Sequence, residues 1–132
     1  DWQEQFITLT AYQRNHELAR NLLLKNQPVI LEATYSREKY HEMLRGLAEI
    51  TKSPLRVFFL DAPSDEEIAK RAIKRQEEDS PTTVVKTATV AFDIKRRYQL
   101  ITGVDMVRLD PNQPLEEKVK EVLNYLVDLR SS

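Results

Sequence analysis

The stretch PVILEAT, residues 28–34, decides the fold class that the sequence predicts. Its proline ends a helical pattern, and the following apolar residues are of strand type until the run stops at the acid Glu32. In open α/β sheets, groups just beyond the carboxyl end of a strand face the ligand crevice. A carboxylate there can hold a metal ion or take a proton from a substrate hydroxyl, and Thr34 lies on the same side by the strand period. The simpler alternative is an acid that caps the next helix or meets solvent.

Two more segments of strand type follow, at residues 55–60 and 104–109, and each is closed by an acid, Asp61 or Asp110. Helical patterns lie at about 5–25, 37–50, 64–76, 84–100 and 114–126. Buried strands that alternate with helices predict an α/β fold, a three-layer αβα arrangement with a parallel sheet, in one domain over residues 1–132. Right-handed crossovers place all strand ends at one edge, so we expect Glu32, Asp61 and Asp110 to lie together.

Local signals mark the starts of several helices. Ser36 is expected to be the N-cap of the second helix, and Ser64 forms a capping box with Glu67. Pro114 suits the first turn of the last helix. Residues 82–90 are ambiguous because threonine and valine favour strands, and we predict that the helix over 84–100 includes most of them.

The histidines and the N-terminal aromatic residues give no catalytic pattern. His16 and His41 are far apart and lack metal-ligand spacing, so each is expected on a helix surface or in packing, and no metal site is predicted. Trp2 and Tyr12 are expected to pack in the core rather than to stack on bases.

The amino-acid composition limits the classes of protein to which the chain can belong. The chain has 132 residues, 41% hydrophobic and 31% charged, which is typical of a globular domain rather than a disordered segment. A net charge of −1 gives no electrostatic case for non-specific binding to nucleic acid or membranes. No apolar run reaches membrane-spanning length, and the absence of cysteine suits a reducing cytosol, so a cytoplasmic location is expected. The first residue is Asp1 rather than methionine, which we interpret as a piece of a longer protein.

Basic residues lie on both sides of a polar segment. Arg71 and Arg75 are four apart on one helix and therefore share a face, and Arg96 and Arg97 form a second cluster. One interpretation is a solvated face that pairs with nearby glutamates. The other is a pair of phosphate clamps flanking a lid at about residues 77–100, because guanidinium groups match phosphate oxygens bidentately.

The motifs VILEAT (29–34), VFFLDAP (57–63), the arginines four apart and PLEEKV (114–119) resemble, in order and spacing, a known family. They are similar to the P-loop kinases of the AAA_33 and polynucleotide-kinase-like group, related to gluconate kinases and zeta toxins. The resemblance covers roughly residues 17–126. It implies an ATP- and Mg²⁺-dependent phosphotransferase that binds a nucleotide and acts on a hydroxyl of a small molecule or of a nucleic-acid end.

The resemblance also implies roles for individual residues. Glu32 corresponds to the acid near the metal and the acceptor, and Thr34 to the threonine that follows it. Arg71 and Arg75 correspond to the family's lid arginines and Arg96 or Arg97 to the second lid arginine, so all four are expected to bind the nucleotide cofactor. The family usually has aspartate at position 32, so the glutamate moves the carboxylate outward by one methylene.

A second departure is larger. These residues contain only two glycines, so the family's first strand and its phosphate-cradling P-loop are absent from them. In such kinases that strand lies in the middle of the sheet, and its loss leaves backbone groups without partners. Three outcomes are open: the remaining strands close up, a second copy fills the gap as a homodimer, or an upstream part is missing. We favour a missing upstream part, with the strands rearranged or a dimer filling the gap.

Three hypotheses of function follow. In the first, the chain carries the acceptor side and the lid of an ATP-dependent kinase and does not turn over by itself. In the second, a degenerate P-loop-like domain has a protein-interaction or regulatory role. The third is binding of nucleic-acid ends through the lid arginines.

Overall fold

The computed structural model describes residues 1–61, 63–78 and 88–131, which group into two compact units. The first unit is Asp1–Leu55 with Gln99–Val104, and the second is Arg56–Tyr98 with Asp105–Ser132. In chain order the elements are α1 (Trp2–Leu23), α2 (Glu38–Thr51), β1 (Arg56–Leu60), α3 (Asp65–Glu78), α4 (Ala88–Arg97), β2 (Asp105–Leu109) and α5 (Leu115–Ser131). The prediction of a single domain over 1–132 stays a prediction.

The first unit is built on α1 packed against α2. The α1 residues Tyr12, His16 and Ala19 are buried at spacings of three and four, as one face of a helix requires. The ring of Tyr12 stacks on that of Tyr40 from α2, with centroids 3.8 Å apart and planes 12° from parallel. Its neighbour His41 is only 1% exposed. Stacked tyrosine rings therefore form part of the contact between the two helices.

The prediction of a strand at residues 29–33 is wrong. These residues are irregular and pair with neither strand of the described chain, and Ile30 is 88% exposed. A strand needs a neighbour for its backbone N–H and C=O groups, and apolar, β-branched composition does not supply one. The sequence analysis also expects that a second copy of the chain fills the place of the family's missing central strand. That expectation stays a prediction.

The second unit contains a parallel pair of strands. β1 pairs with β2 in a register that joins Arg56 to Asp105 and Leu60 to Leu109. Because the strands are parallel and aligned, the acids that follow them, Asp61 and Asp110, lie at the same edge, as predicted for these two. Glu32, the third predicted acid, does not follow a strand. Helices α3 and α4 pack against each other in the same unit. The predicted α/β class with a parallel sheet is confirmed.

Several local predictions can be compared with the helices. The N-cap of α2 is Arg37, which makes no capping bond through its side chain, so the prediction of Ser36 as the cap is wrong. The Ser64 half of the capping box predicted for α3 is confirmed, because the Glu67 backbone N–H donates to Ser64 Oγ at 3.2 Å. The Glu67 carboxylate accepts from Arg71. Trp2 is 73% exposed, so its predicted core position is wrong.

The predicted lid, at about residues 77–100, is described only in part. Residues 79–87 lie outside the described residues. They include residues 84–87, the start of the helix predicted over 84–100. The described part of that helix is α4, which ends at Arg97. Within the described ranges, no helix is long and apolar enough to cross a membrane.

Candidate functional site

The predicted acid and threonine lie on the irregular segment between α1 and α2. Both Glu32 and Thr34 are exposed. Glu32 forms no hydrogen bond or ion pair within the described part of the chain, so its carboxylate is available to an external ligand. Since the segment is not a strand, contacts between the residue that follows it and the helices help to place these side chains.

Tyr35, directly after Thr34, makes the strongest of these contacts. Its backbone N–H donates to the hydroxyl of Tyr12 at 2.9 Å, and its carbonyl accepts from Nε2 of His41 at 2.5 Å. Its hydroxyl lies 2.7 Å from Nε2 of His16. We call these four residues, Tyr12, His16, Tyr35 and His41, the Tyr35 clasp.

Tyr35 adopts a backbone conformation that bulky residues avoid. Its φ is +46°, in the left-handed region. For an L-residue this conformation costs about 1–2 kcal/mol. Such strain persists only where the surroundings over-determine the geometry, and it concentrates at functional sites. The hydrogen bonds of the Tyr35 clasp are the surroundings that hold it here.

Burial sets the protonation of the clasp. Desolvation lowers the pKa of His16, and a hydrogen bond to the backbone of Met43 acts in the opposite direction. The neutral ring is therefore favoured, and the Tyr35 hydroxyl donates to its Nε2. Desolvation likewise raises the pKa of Tyr35, and the nearby Tyr12 raises it further. The hydroxyls of Tyr12 and Tyr35 therefore stay protonated at neutral pH and can donate hydrogen bonds.

His41 connects the clasp to a charged network on α2. Its Nε2 faces the Tyr35 carbonyl, and its Nδ1 lies 3.1 Å from Glu38 Oε2, so both ring nitrogens face acceptors. Glu38 also accepts a hydrogen bond from Arg45. The hydrogen bond from Arg45 lowers the pKa of Glu38 most, and the one from His41 lowers it further.

The same network fixes the segment before β2. The Gln99 backbone N–H donates to the Ser36 carbonyl at 3.0 Å, and the Gln99 side chain accepts from the Glu38 backbone N–H at 2.9 Å. Arg45 donates to the carbonyl of Thr102 at 3.0 Å. Residues 99–104 are thus held against the start of α2, next to the Tyr35 clasp.

The predicted basic residues belong to the second unit. Arg71 Nε donates to Glu67 Oε1 at 3.0 Å, one turn earlier on α3, and both side chains are about half exposed. Arg96 and Arg97 both pair with Asp93 on α4, at 2.9 and 3.0 Å. Exposed pairs of this kind contribute roughly 0.2–1 kcal/mol, so the arginines can exchange these partners for a phosphate at little cost.

Lys95 fastens α4 to the start of α3. Its ammonium donates to Asp65 Oδ1 at 2.9 Å and to the Pro63 carbonyl at 3.4 Å. The helix that carries Arg96 and Arg97 is therefore tied to the helix that carries Arg71. The two basic clusters lie in one compact unit with a defined connection.

The two acids at the sheet edge, Asp61 and Asp110, already accept hydrogen bonds within the protein. Arg108 Nε donates to Asp61 Oδ1 at 3.0 Å, and Nη2 donates to the same oxygen. This pair raises the pKa of Arg108, mainly through the hydrogen bond and then through charge. Asp110 Oδ1 accepts from the Asn112 backbone N–H at 2.8 Å, so it organises the turn before α5.

The structure brings some of the predicted site residues together. Glu32 and Thr34 share one segment of the first unit, and the four arginines share the second. The expected meeting of Glu32 with Arg71 across a crevice stays a prediction. In the described residues, no group of three or more histidines, aspartates or glutamates could hold a metal ion.

Sequence reasoning missed the Tyr35 clasp. His16 and His41 were interpreted as surface or packing residues, and they are buried and hydrogen-bonded to one loop residue. One signal was available, because Tyr12 and His16 are four apart and so present two polar groups on the buried face of α1.

A parallel pair of strands with helices between them, and arginines on the intervening helices, defines an α/β protein of P-loop-like type. The family model described as AAA domain, AAA_33, matches residues 1–100, which is most of the chain. The chain therefore belongs to the AAA_33 family, whose P-loop-type members bind nucleotides with Mg²⁺ and are kinase-like. No curated protein and no solved structure matches it.

Proposed function

We propose that this chain provides the acceptor side and the arginine-bearing lid of an ATP- and Mg²⁺-dependent phosphotransferase. The observation that carries the proposal is the AAA_33 match over residues 1–100. The acceptor is a hydroxyl of a small molecule or of a nucleic-acid end. The chain lacks a glycine-rich phosphate loop among its own residues, so by itself it does not turn over.

A comparison of the partners of three acids, Asp61, Asp110 and Glu32, supports a catalytic role for Glu32. Asp61 is neutralised by Arg108, and Asp110 caps a turn, whereas Glu32 is exposed and unpaired within the described ranges. Phosphoryl transfer depends on positioning and on charge neutralisation, with an acid near the metal or the attacking hydroxyl. Glu32 orients the acceptor hydroxyl or a metal-bound water, and Thr34 follows two residues later on the same segment.

In this proposal the arginines bind the phosphates of the nucleotide. Arg71 and Arg75 lie one turn apart on α3, and Arg96 and Arg97 lie at the end of α4. Arg71 leaves its exposed partner Glu67 when a polyphosphate arrives, because a bidentate charge-assisted contact is stronger than an exposed intrahelical pair.

A titration with Mg²⁺ and a non-hydrolysable ATP analogue tests the proposal in the full-length protein. Arg71→Ala should weaken binding about tenfold or more, as the loss of a charged hydrogen bond of about 1.5–3 kcal/mol implies. Arg14→Ala, an exposed arginine on α1, is the matched control and should bind as the wild type does. The absence of saturable, Mg²⁺-dependent binding in the wild type would refute the kinase proposal.

One observation favours a second candidate, a protein-interaction role. Leu115, Val119, Leu123 and Val127 recur every four residues along α5 and are 48–74% exposed. Apolar stripes of this kind mark contact surfaces. Under this alternative, Leu123→Glu disrupts a complex while the Arg71→Ala variant leaves it intact. A third candidate, binding of nucleic-acid ends through the lid arginines, requires affinity that falls steeply with salt.

A further inference from the structure

The segment that carries Glu32 and Thr34 has no sheet to hold it. Residues 28–34 lie between α1 and α2 without regular structure, and most of their side chains are exposed. An acid that orients a hydroxyl must be held within a fraction of an ångström, because small misplacements are costly in phosphoryl transfer. Some other part of the chain must therefore supply the rigidity that a strand would have given.

The Tyr35 clasp is in the right place to supply it. Tyr35 is one residue from Thr34 and three from Glu32, and both its backbone groups and its hydroxyl are hydrogen-bonded. The partners come from two helices, with Tyr12 and His16 on α1 and His41 on α2. A residue held from two elements at three atoms has little freedom to rotate, and its left-handed backbone conformation fixes the direction of the chain on either side.

The platform beneath Tyr35 is itself rigid. Tyr12 and His16 are buried, and the Tyr12 ring is stacked on Tyr40. His41 is 1% exposed and is held at its other nitrogen by Glu38, which also binds Arg45. Each group that contacts Tyr35 is thus fixed by a further contact, which is the arrangement that precise sites need.

We propose that Tyr35, held by Tyr12, His16 and His41, is a positioning residue that sets the loop bearing Glu32 and Thr34 for phosphoryl transfer. The inference rests on the proposed function. Tyr35 acts through its neighbours and does not touch the reacting atoms. The clasp replaces, in this loop, the backbone pairing that a strand would have given.

The first test measures the loop directly. Tyr12→Phe keeps the ring stacked on Tyr40 but removes the acceptor for the Tyr35 N–H, and Tyr35→Phe removes only the hydroxyl bonded to His16. In the wild type, NMR backbone order parameters at residues 31–36 should be about 0.85, and in Tyr12→Phe they should fall below about 0.6. Tyr35→Phe should give an intermediate loss. Unchanged order parameters in both variants would overturn the proposal.

Tyr125→Phe is the matched control, since it removes a tyrosine hydroxyl from α5 in the other compact unit. It should leave the order parameters of the loop as they are in the wild type. A similar loss of order in this variant would mean that any tyrosine substitution loosens the loop, and the clasp would have no special role.

The second test separates positioning from general stability in the full-length protein. Release of inorganic phosphate from Mg²⁺·ATP is measured with water as the acceptor. In Tyr12→Phe, kcat should fall about tenfold or more while the dissociation constant of the nucleotide analogue stays within about twofold of the wild type. An equal loss of both would indicate a merely structural role and would overturn the proposal.

The two proposals fail in different ways. A wild-type protein that does not bind the Mg²⁺-nucleotide refutes the proposed function, whatever the order parameters show. A wild-type protein that binds and turns over, with Tyr12→Phe equal to it in loop order and in kcat, refutes the clasp alone.

Discussion

At the scale of single residues, buried polar groups decide how the first unit is held together. Buried polar atoms are costly unless they are hydrogen-bonded, and His16 and Tyr35 satisfy each other at 2.7 Å. The same burial moves their proton equilibria away from ordinary values. Stability should therefore depend on pH at both ends of the accessible range.

On the acid side, burial lowers the pKa of His16. The unfolded chain then binds the proton more readily than the folded chain, so stability is complete above the ordinary histidine pKa and is lost as the pH falls below it. We expect the free energy of unfolding in urea to decrease between about pH 7 and about pH 5. The decrease should be smaller in His16→Gln, and an equal decrease in both proteins would contradict the assignment.

On the alkaline side, burial raises the pKa of Tyr12 and of Tyr35. The folded chain holds these protons more tightly than the unfolded chain, so their contribution is present below the ordinary tyrosine pKa and is lost as the pH rises above it. In a spectroscopic titration, Tyr12 and Tyr35 should ionise only together with unfolding. Tyr35→Phe should remove one component that accompanies unfolding, and a reversible titration of both tyrosines in the folded protein would count against the clasp.

At the scale of secondary structure, the sequence predicts the elements that carry their own signals. Ser64 marks the start of α3, and the strands before Asp61 and Asp110 find each other as partners. The segment at 29–33 has equally strand-like residues but no partner in the described chain, which a local pattern cannot reveal. α2 begins one residue later than the serine indicates, with Arg37 as its N-cap, and the Ser36 carbonyl accepts from Gln99, a residue distant in sequence.

The cap of α3 gives a quantitative prediction. Ser64→Ala removes the acceptor of the Glu67 N–H and should lower the free energy of unfolding of the second unit by about 1 kcal/mol. Ser64→Asp keeps an acceptor at the same place and should unfold at nearly the wild-type urea concentration. If alanine and aspartate have equal effects, the serine is not an energetically significant cap.

At the scale of the whole molecule, membership of the AAA_33 family and the α/β class agree with the sequence-based expectation. The candidate site could be predicted only as separate pieces. Motif spacing pointed to Glu32 and to the arginines, but the Tyr35 clasp joins residues 12, 16, 35 and 41 through hydrogen bonds that no motif encodes. Long-range polar contacts of this kind depend on the packing of α1 on α2, which appears only in the folded chain.

The central claim is the proposal that Glu32 and the arginines of α3 serve the transfer of phosphate from a nucleotide. The most direct test is the release of inorganic phosphate from Mg²⁺·ATP by the full-length protein. Glu32→Gln should lower kcat about tenfold or more, Arg71→Ala should raise KM, and Arg14→Ala, an exposed position on α1, should leave both as in the wild type. Wild-type kcat and KM in both Glu32→Gln and Arg71→Ala would contradict the claim.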